Sequence, residues 1–234
     1  MWPDMLISIY IVIGMFLSVL AQKLDLKASL IGGVFAFVIY AGFGFMGICL
    51  LSTFYLLGTL ATVWKLDQKR QLQLEEKNHG KRTVGQVLAN TGVAALLGFC
   101  AWQVPHEAPV LALMLTASYS SALSDTLSSE LGNVYGKNYY NILTFKRDTK
   151  GLNGVVSLEG SLFGLFGSVI IAVVYILFTG KHIDFWLIIV AGTIGNLFDS
   201  ILGASLERKG LIGNNVVNFL NTAISALTIL LLQA

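Results

Sequence analysis

Charge is scarce in this sequence. Only 12% of its 234 residues are Asp, Glu, Lys or Arg, whereas 55% are hydrophobic. In a soluble domain roughly a quarter of the residues are charged, so this composition excludes an ordinary globular protein. The high apolar content equally excludes a disordered chain. We therefore predict a single membrane-embedded domain over residues 1–234.

Cysteine and histidine are also rare. The two cysteines, Cys49 and Cys100, lie in apolar runs, and His79, His106 and His182 are isolated. This spacing excludes a disulfide framework and a zinc site. The first residues contain no Lys or Arg, so the positive region of a secretory signal is missing and the first apolar run is predicted to stay as a helix. The net charge of +2 gives no support for nucleic-acid binding.

Long apolar runs predict an all-α membrane bundle of about eight spans, at about 20 residues per span. The segment Ala28–Trp64 contains no charged residue in 37 positions, enough for two spans with a turn at Gly42–Gly44. The predicted spans cover residues 5–21, two spans within 28–64, then 84–103, 108–130, 155–179, 184–204 and 212–233.

The basic residues give this topology a test, because cytoplasmic loops of membrane proteins are enriched in Lys and Arg. With both termini outside, 14 of the 15 basic residues fall in cytoplasmic loops, and only Lys181 falls outside. In chain order these loops contain Lys23 and Lys27, six basic residues from Lys65 to Arg82, then Lys137, Lys146, Arg147, Lys150, Arg208 and Lys209. The charge pattern therefore predicts an N-out, C-out, multi-pass protein.

Four carboxylates lie inside the predicted spans, near the cytoplasmic ends. They are Asp125 and Glu130 in span five, Glu159 in span six and Asp199 in span seven. Ionisable groups within spans are expensive to bury and are functional candidates by default.

Polar stripes occur at the same depth. Residues spaced by three or four positions share a helical face, and three such sets are present: Arg82, Gln86 and Asn90; Asn153, Ser157, Gly160 and Gly164; and Asn214, Asn218 and Asn221. Each stripe alone is also what helix–helix contacts in membranes require. Together with the carboxylates, the stripes favour a shared polar cavity, since lipid-exposed polar groups are too costly.

Carboxylates beside basic residues suit a polyphosphate bound through Mg²⁺, which takes hard oxygen ligands and bridges phosphates. Lys and Arg would neutralise the remaining charge. A cavity open to cytosol and bilayer could also admit a lipid tail, which favours phosphoryl or nucleotidyl transfer to a lipid headgroup. Ion transport remains an alternative, because intramembrane carboxylates also form cation and proton pathways.

One segment is similar to a nucleotide-binding loop. Residues 132–138 read GNVYGKN, but one residue is missing between the glycines, and Asn stands where a Walker A motif needs Ser or Thr. We interpret Gly132 as the C-cap of span five and the residues after it as a basic loop, in which backbone amides and Lys137 could still contact phosphate.

Four segments together resemble the transmembrane protein 19 family (domain of unknown function 92), which includes the phytyl phosphate kinase of tocopherol biosynthesis. They are Arg82–Asn90 (RTVGQVLAN), Ser124–Gly132 (SDTLSSELG), Gly151–Ser157 (GLNGVVS) and Phe198–Ala204 (FDSILGA). The resemblance runs from about Lys23 to the C-terminus. One departure is Val155, where the family usually has a second Gly.

The resemblance implies a membrane kinase that converts a prenyl monophosphate, such as phytyl or geranylgeranyl phosphate, to the diphosphate. By analogy with phytol and dolichol kinases it implies CTP as donor, with ATP as the alternative. On this hypothesis Asp125 and Asp199 hold Mg²⁺, and Glu130 is a third ligand or orients the others. The predicted phosphate- or substrate-binding residues are Arg82, Gln86, Asn90, Lys146, Arg147, Lys150, Asn153 and Ser157.

Two other functions stay open at this point. A lipid-phosphate cytidylyltransferase would use a similar cavity, as would an ion or small-molecule transporter. A kinase needs no general base, because the acceptor phosphate is already an anionic nucleophile. The scarcity of histidine, a common general base, agrees with such a reaction.

Overall fold

A computed structural model, in which residues 2–74 and 80–233 are described, shows a bundle of helices. The helices are α1 (Trp2–Leu20), α2 (Leu26–Val63), α3 (Leu66–Gln71), α4 (Val84–Gln103), α5 (Ala108–Tyr135), α6 (Leu158–Thr179), α7 (Asp184–Leu202) and α8 (Asn214–Gln233). A 3₁₀ turn, Pro105–Glu107, precedes α5, and a π-helical turn, Gly203–Glu207, extends α7. The short strands β1 (Tyr140–Asn141) and β2 (Val155–Val156) pair antiparallel.

Helix α2 folds back on itself at Gly44. This glycine has φ 60° and ψ −146°, a conformation that a residue with a side chain rarely adopts. A Cβ on Gly47 would lie 3.2 Å from the carbonyl oxygen of Ile39, although eight residues of continuous helix span about 12 Å. The two halves of α2, residues 26–43 and 45–63, are therefore antiparallel, and the turn predicted at Gly42–Gly44 is confirmed.

Five described helices are long and apolar enough to cross a membrane: α2, α4, α6, α7 with its π-helical turn, and α8. Helix α1 is apolar but shorter. The long helix α5 is absent from this group because hydroxyl residues interrupt its apolar sequence.

Helix α5 is the centre of the bundle. It packs against α2, α4, α6, α7 and α8, and residues 112–124 are buried without interruption. Within α5 the Thr116 hydroxyl donates to the carbonyl of Ala112 at 2.7 Å, and Ser225 of α8 donates to the carbonyl of Ala117 at 2.7 Å. Because other helices surround α5, its polar residues do not face lipid.

Small residues let the helices around α5 approach closely. A Cβ on Gly132 of α5 would lie 3.0 Å from Cα of Gly160 of α6. A Cβ on Gly195 of α7 would lie 2.8 Å from the carbonyl oxygen of Asn221 of α8. Such contacts are typical of helices packed in membranes, and they fix α6, α7 and α8 closely around the polar end of α5.

Four loops meet at one end of the bundle; in chain order they join α1 to α2, α2 to α4, α5 to α6 and α7 to α8. Leu24 and Arg82 form a β-bridge between the first two loops. In the third loop, Asp148 binds Arg208 of the fourth, and Gly151 lies against Leu74 of the second. The loops predicted to be basic are thus neighbours, while Lys181 lies in the α6–α7 turn at the other end. Residues 75–79 of the charged stretch between α3 and α4, which include Glu75, Glu76, Lys77 and His79, lie outside the described residues.

Two predicted boundaries are wrong. Span six was expected from residue 155, but Val155 and Val156 form β2, and α6 begins at Leu158. Helix α5 was expected to end near Gly132, but it continues to Tyr135, and its C-cap is Gly136. Both errors arise because the pairing of β1 with β2 fixes the chain between α5 and α6.

Candidate functional site

A cavity of about 1010 Å³ lies among α4, α5, α6, α7 and α8, at the end where the four loops meet. Eight of the eleven predicted site residues line it: Arg82, Gln86, Asn90, Asp125, Glu130, Asn153, Ser157 and Asp199. Three of the four carboxylates and most of the stripe residues that the sequence placed at one depth therefore share one cavity.

Asp125 of α5 and Asp199 of α7, here called the aspartate pair, lie next to each other in the wall of the cavity. Their carboxyl groups are in hydrogen-bond contact. Asn221, fully buried on α8, donates from Nδ2 to Oδ1 of Asp199 at 2.7 Å. The Oδ1 of Asn221 accepts from the Ser121 hydroxyl at 3.1 Å. Two carboxylates this close repel each other when both are ionised, and a proton shared between them or a bound cation relieves that repulsion.

Glu130 does not join the aspartate pair. It forms an ion pair with Lys69 of α3, whose side chain is 1% exposed. The Lys69 ammonium also donates to the carbonyls of Ala61 and Thr62 at the end of α2, at 2.9 and 2.8 Å. Within residues 2–74 and 80–233 no three His, Cys, Asp or Glu side chains are grouped to hold a metal. Of the two predicted roles of Glu130, the geometry fits the indirect one.

Arg82 is the one Lys or Arg side chain among the described residues that line the cavity. It is only 9% exposed, and its guanidinium carbon lies 5.2 Å from the ring centre of Phe54 and 6.0 Å from that of Tyr55. Stacking on aromatic rings stabilises a buried guanidinium. The backbone amide of Arg82 donates to the carbonyl of Lys23 at 2.9 Å, which fixes where the side chain enters the cavity.

The other three predicted phosphate ligands, Lys146, Arg147 and Lys150, do not line the cavity. Arg147 is bridged to Tyr140 next to β1, and the Lys150 ammonium lies 5.6 Å from the ring centre of Tyr139. The pairing of β1 with β2 turns this part of the loop outward. These side chains lie beside the cavity, and their phosphate-binding role stays a prediction.

Arg208 holds this loop in place. Its guanidinium donates to Oδ2 of Asp148 at 2.7 Å and to the carbonyl of Asn153 at 2.7 and 3.1 Å. The hydrogen bond from Arg208 holds the pKa of the Asp148 carboxyl below its usual value. Asn153 therefore lines the cavity because the π-helical turn after α7 carries Arg208 to its backbone.

Asn153 and Ser157 do not form the helical stripe that the sequence suggested. Asn153 lies in a turn before β2, and Ser157 is the N-cap of α6, accepting from the amide of Gly160 at 3.1 Å. Between them Gly154, at φ 71°, lies against Ala204, so a side chain at residue 154 would collide. The next residue, Val155, belongs to β2 and pairs with Asn141.

Amides line the side of the cavity between α4 and α8. Gln86 accepts from the Thr83 amide at 2.9 Å, closing a capping box at the start of α4. Asn90 donates to the carbonyl of Gln86 at 3.0 Å, while its own Oδ1 is buried without a partner. Asn214, Asn215 and Asn218 of α8 line the same side. Such groups offer both donors and acceptors, as recognition of a nucleoside requires.

Glu159 was the fourth intramembrane carboxylate. It lies in the first turn of α6, and its Oε2 accepts from the amide of Lys137 at 3.4 Å. It does not line the cavity. Together with burial, its charge raises the pKa of Tyr139.

Sequence reasoning missed several residues of the site. Asn196 lines the cavity one turn before Asp199, and its Oδ1 accepts from Ser128 at 3.3 Å. Ser124 also lines the cavity, next to Asp125. The signal for Asn196 was present in the sequence, because a residue three positions before Asp199 shares its helical face. Lys69, which pairs with Glu130, had no comparable signal in the sequence.

A family model for integral membrane protein DUF92 matches residues 9–226 of this chain. Among curated proteins, the chain is 33% identical over 202 residues to Protein VTE6, chloroplastic, of Arabidopsis thaliana, covering 83% of this chain and 60% of that protein. It is 31% identical over 228 residues to Protein PGR of the same plant, covering 86% and 79%. The chain thus spans less than two thirds of the length of VTE6.

A prokaryotic relative matches over more of its length. An uncharacterized membrane protein of Methanocaldococcus jannaschii is 31% identical over 230 residues, covering 94% of this chain and 91% of that protein. No solved structure matches the chain.

Proposed function

Because this chain belongs to the DUF92 family of integral membrane proteins, we propose that it is a kinase that transfers a phosphoryl group from a nucleoside triphosphate to a prenyl monophosphate. The resemblance to phytyl phosphate kinase supports the substrate class. CTP is the donor that the analogy with phytol and dolichol kinases favours. The single observation that carries the proposal is the aspartate pair, Asp125 and Asp199, beside buried Arg82 in a membrane cavity.

The residues of the cavity fit a magnesium ion. Two carboxylates in contact supply hard oxygen ligands and negative charge that a cation would offset. Magnesium keeps several waters and bridges substrate phosphates, so two protein carboxylates are sufficient. Asp125 and Asp199 would hold Mg²⁺, which neutralises charge on the transferring phosphate when bound. Asn221 keeps the Asp199 carboxylate pointed into the cavity through its 2.7 Å hydrogen bond.

The protein's contribution to the reaction is positioning and charge neutralisation. An oxygen of the prenyl monophosphate forms the new bond to the γ-phosphorus, and the bond to the β-phosphate oxygen breaks, giving a prenyl diphosphate and a nucleoside diphosphate. The acceptor oxygen is anionic, so no residue has to remove a proton. Arg82 would neutralise phosphate oxygens, and the amides of α4 and α8 would contact the nucleoside. Glu130, paired with Lys69, would position the end of α5.

Eight membrane crossings, with both termini outside, are part of the proposal. The break at Gly44 divides α2 into two crossings, and α1, α4, α5, α6, α7 and α8 give six more. The cavity then opens toward the cytoplasm, where nucleoside triphosphates are available. The basic loops at that end support this orientation through the positive-inside rule.

The test is phosphoryl transfer by the purified protein in detergent. We would incubate it with geranylgeranyl or phytyl monophosphate, Mg²⁺ and γ-labelled CTP or ATP. We expect labelled prenyl diphosphate, reduced at least 100-fold by Asp125→Asn or Asp199→Asn. Asp67→Asn is the matched control, since the Asp67 side chain is 94% exposed and lies outside the cavity.

Product mass separates the alternatives. A cytidylyltransferase would release pyrophosphate and leave CMP on the lipid. A transporter would move solute into liposomes without nucleotide. The absence of transfer from either nucleotide to any prenyl monophosphate would rule out the kinase.

A further inference from the structure

The cavity also borders the seam between α6 and α7. Two residues of α6, Ser161 and Leu165, and two of α7, Thr193 and Leu197, line the cavity and are exposed. Each pair is spaced by four positions, so each lies along one face of its helix. We call the gap between these four residues the lateral opening. It faces the zone that lipid would occupy around the bundle.

The outer edge of the lateral opening is apolar. Leu165 is 41% exposed and Leu197 is 45% exposed, although both also line a cavity that contains the aspartate pair. Elsewhere in the described cavity, the side between α4 and α8 is formed by amides such as Gln86, Asn90 and Asn215. The two sides therefore suit different chemical groups, one apolar and one polar.

The inner edge of the lateral opening is polar and has unused hydrogen-bonding capacity. Ser124 is 1% exposed, and its hydroxyl has no hydrogen-bond partner. A Cβ on Gly164 would lie 2.9 Å from this hydroxyl and 2.8 Å from Nδ2 of Asn196. Glycine at this position lets α6 pack directly against these two polar groups, and a larger residue would displace them. A buried hydroxyl without a partner is costly and indicates a group that binds there.

We propose that the lateral opening is the binding path of the acceptor lipid. Its phosphate lies against Ser124 and Asn196, next to the aspartate pair, and its prenyl chain passes between Leu165 and Leu197 into the bilayer. The nucleoside occupies the amide side between α4 and α8. This inference rests on the proposed kinase function and adds where each substrate lies.

The arrangement explains how one cavity can accept two unlike substrates. The phosphate is hydrophilic and must reach the metal-binding carboxylates, whereas the chain is hydrophobic and gains by staying in the hydrocarbon region. An opening that is polar inside and apolar outside matches that sequence of groups. The lipid then need not leave the membrane to react.

Kinetics with two acceptors tests the inference. Leu165→Trp and Leu197→Trp narrow the opening, so we expect KM for geranylgeranyl monophosphate to rise at least tenfold. KM for dimethylallyl monophosphate, whose five-carbon chain has far less contact with the opening, should change less than twofold. Leu227→Trp on α8, at a residue that is 55% exposed and away from the cavity, is the matched control. An equal change for both acceptors, or none for either, would overturn the inference.

Photocrosslinking gives a second measurement that needs no turnover. A geranylgeranyl monophosphate with a diazirine near the middle of its chain is bound to the wild-type protein and irradiated, and the labelled peptides are identified. Labels on α6 and α7 support the inference, and labels on α4 and α8, or no labelled peptide, contradict it. Transfer by the wild type without these labels would be consistent with the proposed kinase function and would refute only the lateral opening as the lipid path. Labels without transfer would refute the kinase.

Discussion

Lys69 of α3 and Glu130 of α5 form an ion pair at the wall of the cavity, although they are 61 positions apart in the chain. The same ammonium binds the carbonyls of Ala61 and Thr62, so it caps the C-terminus of α2 while it holds α5. The pair connects the second loop to the helix that carries Asp125.

Removing one partner of this pair should destabilise the protein strongly. Lys69→Met removes the buried ammonium that contacts the Glu130 carboxylate, and breaking a buried ion pair costs about 3–5 kcal/mol. The double variant Lys69→Met/Glu130→Leu should recover much of that loss, because apolar replacement of both partners is often nearly neutral. Apparent unfolding temperature in detergent measures both. Equal destabilisation by the single and double variants would contradict the prediction.

Asn221 is predicted to act as a positioning residue for Asp199. Asn221→Ala removes a hydrogen bond to a carboxylate, which is worth about 1.5–3 kcal/mol, or roughly 10- to 100-fold. We expect the Mg²⁺ concentration for half-maximal transfer to rise by that factor, with activity partly restored at high Mg²⁺. Ser225→Ala, which loses the 2.7 Å bond to Ala117 one turn away, controls for simple destabilisation. An equal magnesium dependence in the two variants would refute the role.

Gly154 is predicted to be intolerant of any side chain. Its φ of 71° and its contact with Ala204 mean that Gly154→Ala both strains the backbone, at about 1–3 kcal/mol, and displaces Asn153 from the cavity. We expect transfer to fall at least tenfold. Gly32→Ala, where no atom lies within 4 Å of the added Cβ, should retain activity. Full activity of Gly154→Ala would show that the turn adapts.

The membrane orientation can be measured with single cysteines. In a background with Cys49 and Cys100 replaced by alanine, we expect Lys181→Cys to react with an impermeant maleimide added to intact cells. Thr144→Cys, on the loop between β1 and β2, should react only after the membrane is opened. The reverse pattern would place the cavity on the outside and would contradict the use of cytoplasmic nucleotide.

Helical periodicity was enough to predict much of the site. Asp125 and Asp199 were recognisable because charged residues within apolar runs are rare, and regular spacing placed Arg82, Gln86 and Asn90 on one face. The turn at Gly44 followed from the length of the uncharged segment. These predictions concern positions along single helices, where spacing alone determines which residues share a face.

Other features depend on contacts between distant segments, which spacing does not encode. Lys69 lies in a charged stretch typical of a solvated loop, yet the end of α2 and Glu130 bury it. Lys146, Arg147 and Lys150 looked like phosphate ligands because they are close to the spans in sequence. The pairing of β1 with β2 decides where they point, and two residues per strand are too few to recognise from a pattern.

The hydroxyl-rich sequence of α5 has a consequence for how the protein is made. A translocon sorts segments into the bilayer largely by their hydrophobicity, and α5 lacks the apolar character of α2, α4, α6, α7 and α8. With eight crossings as proposed, we expect the insertion of α5 to depend on that of the flanking helices. Added polarity in α5 is then expected to impair membrane insertion more than it impairs the folded bundle.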